Sequence, residues 1–315
     1  MRSVRRTVVY ACAGAALSFA ALLTLLGAGD DPEKLANWQA LVLGLVQGAT
    51  ELLPISSSGH LILVPWLFQW EFLEANDEFN QTFDVSLHLG TLVAVGAFFW
   101  SDLRALLTAW LLTLRRRSIT TTDERIAWVV VAATIPAGLI GAAFEDVIAR
   151  NLGEPWQIAI LLALFGGLLY AADRRPQTKE MSQVGLKAAV GVGLAQTLSL
   201  MPGVSRSGIT ITAGRLLGLD RDSAARFSFL LLVPITFGAV LYKGVGDVLL
   251  ADLPPGMTGP FVVGSLASFA SAVAAISALL GYVRRHDYSI FVVYRMLAAA
   301  IVLLLIVTGA RSAGF

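Results

Sequence analysis

Two short polar stretches interrupt long apolar runs of this chain. The first is Pro54-Ile55-Ser56-Ser57-Ser58-Gly59-His60 and the second is Pro202-Gly203-Val204-Ser205-Arg206-Ser207-Gly208. Gln47 and Glu51 lie four residues apart on the segment entering the first stretch, so a helix there puts both on one face. That face presents an amide and a carboxylate to one cavity, and the carboxylate can hold a divalent cation (Mg2+ or Ca2+) or take a proton. Gln47 is the weaker of these two metal-site candidates, because an amide carries no charge. Ser56, Ser57 and Ser58 follow a proline at a helix break, and Gly59 allows a tight turn. Hydroxyls and free backbone N–H groups at such a break suit a phosphate. His60 is three residues beyond Ser57, close enough for a hydrogen bond. A histidine there activates a hydroxyl or a water, or is itself the nucleophile, and the residues leave these choices open. Arg206 supplies a planar fork that matches phosphate oxygens. Glu51, Ser57, His60 and Arg206 are the catalytic candidates. Ser56, Ser58, Ser205, Ser207 and Thr210 are the candidate phosphate-binding hydroxyls. A positive clamp, an acidic element and a nucleophile make the set that phosphoryl chemistry needs.

Each residue has a plainer explanation. Serines in membrane helices often only bond backbone carbonyls. A lone glutamate can couple protons in a transporter, and a lone arginine can pair with Glu51 structurally. Asp84 can cap a helix, which leaves His88 ambiguous. His286 sits beside Arg284 and Arg285 as a loop residue would. Trp38, Trp66, Trp70 and Trp100 suit interface anchors. Ionisable residues inside apolar runs are costly, and Glu51, His60 and Arg206 occur in two similar stretches. That coincidence favours a site.

The elements that must hold these residues follow from composition. The 315 residues are 56% hydrophobic and carry only 45 charged side chains (23 Lys and Arg, 22 Asp and Glu) with a net charge of +1. So few charges cannot cover a soluble fold of this size, and the mean hydropathy is +0.72. A disulfide scaffold and a basic nucleic-acid binder are excluded; the single cysteine, Cys12, lies in an apolar run. The pattern predicts an all-α polytopic integral membrane protein. Spans of about 20 apolar residues fall near 7–28, 87–112, 125–148, 156–172, 225–250, 259–283 and 288–310. Regions 36–70 and 184–220 are broken at the two polar stretches. Irregular backbone at membrane depth survives only inside protein or against a watery cavity, so both regions are predicted to be re-entrant broken-helix hairpins.

Charge sets the orientation. Arg2, Arg5 and Arg6 place the N-terminus in the cytoplasm, and Arg115–Arg117, Arg174, Arg175, Lys179, Arg284 and Arg285 mark further cytoplasmic loops. Glu71, Glu74, Asp77 and Glu78 form an acidic loop on the other side. The basic start and the first apolar run also have the form of a signal peptide, but the run is long for one, which favours a retained anchor.

The hairpin motif occurs twice. Gly44-Leu45-Val46-Gln47 and Gly193-Leu194-Ala195-Gln196 each precede a proline and a Ser-x-Ser-Gly. Phe83 precedes Gly90 as Phe227 precedes Pro234. The two copies enter from opposite sides in the charge-based topology, which predicts two inverted repeats with the site at their meeting point. Residues 1–35 form an anchor or extension, and 36–315 form one membrane-embedded domain, with repeat one about 36–148 and repeat two about 184–283.

The chain is similar to a known family at these residues. Gln47 to His60 and Pro202 to Thr210 resemble the two motifs of the bacterial undecaprenyl-diphosphatases of the bacitracin-resistance type, and Phe83–Gly90 and Phe227–Pro234 also look like family members. The resemblance covers about residues 36–310. It implies a membrane phosphatase that removes the terminal phosphate of undecaprenyl diphosphate, recycles the carrier lipid for cell-wall synthesis and confers bacitracin resistance. It further implies inverted repeats and a site facing outside the cytoplasm of the bacterial plasma membrane. By resemblance, Glu51, His60, Ser56, Ser57, Arg206, Ser205, Ser207 and Thr210 fall on motif positions. Gln47 stands where many relatives have Glu, which weakens a two-acid cation site. The expected partners are a polyprenyl diphosphate, membrane lipids and a second copy of the chain, with no nucleic acid. The rival reading is a secondary transporter or lipid flippase, since broken helices at the midplane are also a transporter architecture.

Overall fold

The computed structural model describes residues 35–70, 77–244 and 257–314. The first predicted span and its arginines, the acidic residues Glu71 and Glu74, and the end of the predicted span 225–250 lie outside the described residues.

The first polar stretch separates α1 (Asn37–Leu52) from α2 (Ser57–Phe68). Then follow α3 (Asp77–Phe98), α4 (Trp100–Arg116), α5 (Thr122–Asn151) and α6 (Pro155–Asp173). The second polar stretch, preceded by a short 3₁₀ turn, separates α7 (Leu186–Thr197) from α8 (Arg206–Leu216). The described chain ends with α9 (Arg221–Gly244), α10 (Thr258–Val283) and α11 (Ser289–Val307). Five of these helices are long and apolar enough to cross a membrane, or six if α3 and α4 are one bent span. The chain is an all-α polytopic membrane protein.

The predicted single span at 87–112 is corrected by the structure. It breaks at Phe99, and α3 and α4 meet at 84°. The reason is chemical: the second half of α3, from Leu89 to Phe98, carries no charge, whereas α4 carries Asp102, Arg104, Arg115 and Arg116. Phe99 pins the corner, with its ring 6.0 Å from that of Phe229 on α9.

Two helix pairs are drawn together by glycine. A Cβ at Gly44 on α1 would lie 2.3 Å from the Gly264 carbonyl of α10, and one at Gly193 on α7 would lie 2.5 Å from the Ala133 carbonyl of α5. Only a residue without a side chain allows these approaches. Both close approaches fall on the glycine that opens a Gly-Leu-x-Gln segment.

The helix ends show which elements share an end of the molecule. The start of α1 sits beside the start of α10, with Asn37 Oδ1 2.9 Å from where a Gly259 Cβ would be. The end of α2 sits beside the residues after α11, where Trp66 Nε1 donates to the Ser312 carbonyl at 3.2 Å. At the other end, Thr178 and Lys179 amides donate to the Gly218 carbonyl at 3.0 and 2.9 Å, so the approach to α7 lies against the exit from α8. Asp173 at the end of α6 closes this end, accepting from Arg215 Nε at 2.9 Å, Arg221 Nε at 2.8 Å and the Tyr288 amide at 3.0 Å. Arg125 at the start of α5 donates to the Ser182 carbonyl there at 2.6 Å.

Candidate functional site

The two helix breaks meet. Ser56 and Ser205 occupy the same position in each, as the N-caps of α2 and α8. Their backbones match, with φ 78°, ψ 96° for Ser56 and φ 74°, ψ 117° for Ser205. Positive φ is strained for a residue with a side chain and persists only where the surroundings enforce it. Each serine Oγ accepts from the amide three residues on, Gly59 at 3.3 Å and Gly208 at 3.0 Å. Bonds also cross between the breaks: the Gly203 amide donates to Ser56 Oγ at 3.1 Å, and Ser207 Oγ donates to the Leu53 carbonyl at 2.9 Å.

Arg295 on α11 locks this junction. It is fully buried, and its guanidinium donates to carbonyls of Pro54, Gly203, Val204 and Leu162 at 2.9–3.2 Å. One side chain thus holds the backbone of both breaks and of α6. A buried guanidinium needs its donors filled, and here backbone carbonyls fill them.

Glu51, on the last turn of α1, is the centre of the polar cluster. Arg206 Nη2, from the first residue of α8, donates to its Oε1 at 2.7 Å. Ser57 Oγ donates a short hydrogen bond to Oε2, which Gln47 Nε2 also reaches at 3.3 Å. His88 Nε2 on α3 lies 3.9 Å from the same oxygen, its Nδ1 donating to the Asp84 carbonyl at 2.8 Å. Two polar atoms here are buried with no hydrogen-bond partner among the described residues: Arg206 Nη1 and Gln47 Oε1. The first-turn amides of α2 and α8 at Ser57, Ser58, Arg206 and Ser207 have no intrahelical acceptor, as at any helix start. A carboxylate-bound serine hydroxyl, an unfilled guanidinium N–H and two helix N-termini can receive a phosphoryl group and attack it.

The family model described as bacitracin resistance protein BacA matches residues 40–301, which include both breaks and Arg295. The chain belongs to the BacA family. A protein of Pelotomaculum thermopropionicum named undecaprenyl-diphosphatase is 43% identical over 280 residues, covering 88% of this chain and 99% of the relative. Proteins with the same name from Geobacter metallireducens and Nocardioides sp. are 45% and 41% identical, over 85% and 87% of the chain and 97% and 98% of the relatives.

In this BacA-family chain the structure brings Gln47, Glu51, Ser57 and Arg206 together as the sequence predicts. It separates others. The predicted Ser57–His60 bond is not formed: Ser57 is held by Glu51 instead. His60 Nδ1 donates to the Ser56 carbonyl at 2.6 Å, and Tyr294 Oη donates to its Nε2 at 2.7 Å. The histidine thus braces the strained Ser56 against α11. The hydroxyls predicted to bind phosphate are mostly turned to the protein. Ser56, Ser205 and Ser207 make the cap and cross-break bonds above, and Thr210 Oγ1 bonds the Arg206 carbonyl and Ser228 Oγ at 2.8 and 2.7 Å. Ser58 is half-buried at the start of α2. Asp84 lies inside α3 rather than at its start, so it is not the cap of that helix. Trp66 is buried, not an interface anchor. Sequence reasoning missed Arg295 and Tyr294. The signal for Arg295 was available, an arginine in the middle of the apolar run 288–310.

A divalent cation fits the donor set in part. No three Asp, Glu, His or Cys side chains converge among the described residues. Glu51 and the unpartnered Gln47 Oε1 are two hard oxygen donors on one helix face, and Mg2+ sites are commonly built from one or two protein oxygens with the remainder from substrate phosphates.

Proposed function

We infer that the protein is an undecaprenyl-diphosphate phosphatase of the bacterial plasma membrane, releasing inorganic phosphate and undecaprenyl phosphate, the carrier lipid reused in cell-wall synthesis. The family's description names bacitracin resistance. The observation that carries the chemistry is the Ser57–Glu51–Arg206 cluster with its unfilled Arg206 Nη1. The terminal phosphoryl group sits between the starts of α2 and α8. Ser57 Oγ attacks its phosphorus as Glu51 takes the hydroxyl proton, and the bond from phosphorus to the bridging oxygen breaks. Undecaprenyl phosphate leaves with that oxygen. A water then attacks the phosphoserine. Glu51 returns its proton to the departing Ser57 Oγ, takes one from the water and later releases it to solvent. Arg206 Nη1 and the free amides of the two helix starts stabilise the charge that builds on the phosphoryl oxygens. A divalent cation held by Glu51 and Gln47 would neutralise diphosphate charge.

The active site opens outward, and the two breaks are tips of hairpins entering from opposite sides. The helix-end contacts support the hairpins, and charge alone supports the outward orientation: both ends of α1–α2 lie with the start of α10 and the end of α11, while both ends of α7–α8 lie with the end of α6 and the start of α11. The matched glycine and serine positions support an inverted repeat.

The test is phosphate release from undecaprenyl diphosphate by the purified protein in detergent, with labelled terminal phosphate and rapid acid quench. Wild type should release phosphate and hold label on Ser57, and Ser57→Ala should do neither. Absence of release by wild type would overturn the phosphatase reading. Release without label on Ser57, and undiminished in Ser57→Ala, would leave the reaction and remove the serine nucleophile.

A further inference from the structure

Helix α4 does not belong to the catalytic cluster, and its three faces call for an explanation. One face, with Ala109 and Thr113 buried, rests on the beginning of α5, where Trp128 Nε1 donates to Thr113 Oγ1 at 2.9 Å. A second is an apolar stripe of Trp100, Leu107, Leu111 and Leu114 at helical spacing, open to the surroundings, with Trp100 66% and Leu107 58% exposed. The third is polar and includes Ser101, Arg104, Thr108 and Arg115. Arg104 and Arg115 directly border the leucine stripe on the helix surface. The helix leaves α3 at 84°, so if α3 stands across the bilayer α4 lies nearly in its plane. Of its basic residues, Arg116 is 3.8 Å from Glu124, but Arg104, Arg115 and the C-cap Arg117 have no acidic partner among the described residues. An open cavity of about 640 Å³ runs along the polar face between Arg104, Thr108, Arg116, Thr121 and Asp123.

We propose that α4 is an in-plane amphipathic helix that binds the bilayer surface, its leucine stripe in the acyl boundary and Arg104, Arg115 and Arg117 on the phosphates of anionic phospholipids. A helix with one apolar and one basic face, too polar as a whole to enter the hydrocarbon, settles in the interface rather than across the core. Arginine stems buried beside the leucines bring the guanidinium groups to headgroup level. The partner is an anionic lipid surface, because three arginines that make no ion pair among the described residues border an exposed apolar stripe.

The experiment uses the full-length protein in a Cys12→Ser background, in nanodiscs of equal parts phosphatidylglycerol and phosphatidylcholine. Spin labels go at Leu107, Leu111 and Leu114, and depth is read from oxygen and nickel accessibility. An in-plane helix puts the three labels at one depth. A helix crossing the membrane separates Leu107 from Leu114 by about 1.5 Å per residue, roughly 10 Å in all, and that gradient would overturn the proposal. The second arm compares wild type with Arg104→Gln/Arg115→Gln/Arg117→Gln after mild detergent extraction. An arginine near an anionic surface is worth about 1 kcal/mol, so wild type should retain at least about fivefold more phosphatidylglycerol relative to phosphatidylcholine. Equal retention would show that the arginines do not hold anionic lipid.

Discussion

Glu51 and Arg206 make one buried ion pair with two unequal duties. Arg206 uses Nη2 on Glu51 and leaves Nη1 unfilled, so its fork can bridge the base and a phosphoryl oxygen together. Lysine keeps the charge but offers a point donor that serves one of the two partners well. A hydrogen bond to a charged group is worth about 1.5–3 kcal/mol, and each 1.36 kcal/mol is about tenfold in rate. Arg206→Lys is therefore expected to cost on the order of 10–100-fold in kcat/KM while the melting temperature in detergent stays near wild type. A loss of stability with kcat/KM within about twofold would make Arg206 a structural partner of Glu51 only. The sequence offered the pairing of these residues across 155 positions as the plainer alternative, since Glu51 enters one polar break and Arg206 lies in the other. The roles of the serines were not. Residue type shows that a hydroxyl is present, but the positive φ that consumes Ser56 and Ser205 as caps arises only when two breaks pack against each other. The spacing puts His60 within reach of Ser57 and leaves its role open, and the structure sets its Nε2 against Tyr294 Oη instead.

At the scale of elements, hydropathy located nearly every helix. Predicted 125–148, 156–172, 259–283 and 288–310 became α5, α6, α10 and α11 with ends shifted by a few residues. The failure at 87–112 came from averaging an apolar helix with an amphipathic one, a difference visible in the charges after Trp100 but hidden by the leucines between them. Arg295 was hidden in a different way, inside the most apolar run, where it serves carbonyls rather than solvent. The glycine contacts give a prediction that spans both halves. Gly44→Ala and Gly193→Ala each push a methyl group into backbone that has no room to give, at 2.3 and 2.5 Å. Overpacking of this kind costs about 1–3 kcal/mol. Each variant should lower the melting temperature in detergent by several degrees, whereas Gly191→Ala, with nothing near its Cβ, should not. Unchanged melting for either variant would mean that its helix pair is free to move apart.

For the whole molecule, the charge pattern predicts which loops share a side, and the helix-end contacts group the same segments at two ends. Charge predicts that the basic loops at 115–117 and 174–179 are cytoplasmic, and the structure joins the start of α5 to the approach to α7 through Arg125 and Ser182. The start of α1 and the end of α2 lie together at the opposite end with Gly259 and Ser312. In the proposed topology, two hairpins dip from opposite sides and their tips carry Ser57 and Arg206 to Glu51, so that a headgroup would be reached while the prenyl chain stays in lipid. A full crossing of residues 36–70 would instead put Trp38 and Gln69 on different sides. In a Cys12→Ser background, Trp38→Cys and Gln69→Cys should therefore both react with an impermeant maleimide added to intact cells. Ser118→Cys and Gln177→Cys, exposed at the other end, should react only after the cells are opened. Protection of just one of the first two would show that α1–α2 crosses the membrane, and the inverted repeat would then be lost. Reversal of all four would keep the repeat and turn the active site to the cytoplasm, where it would meet undecaprenyl diphosphate only after the lipid had crossed the bilayer.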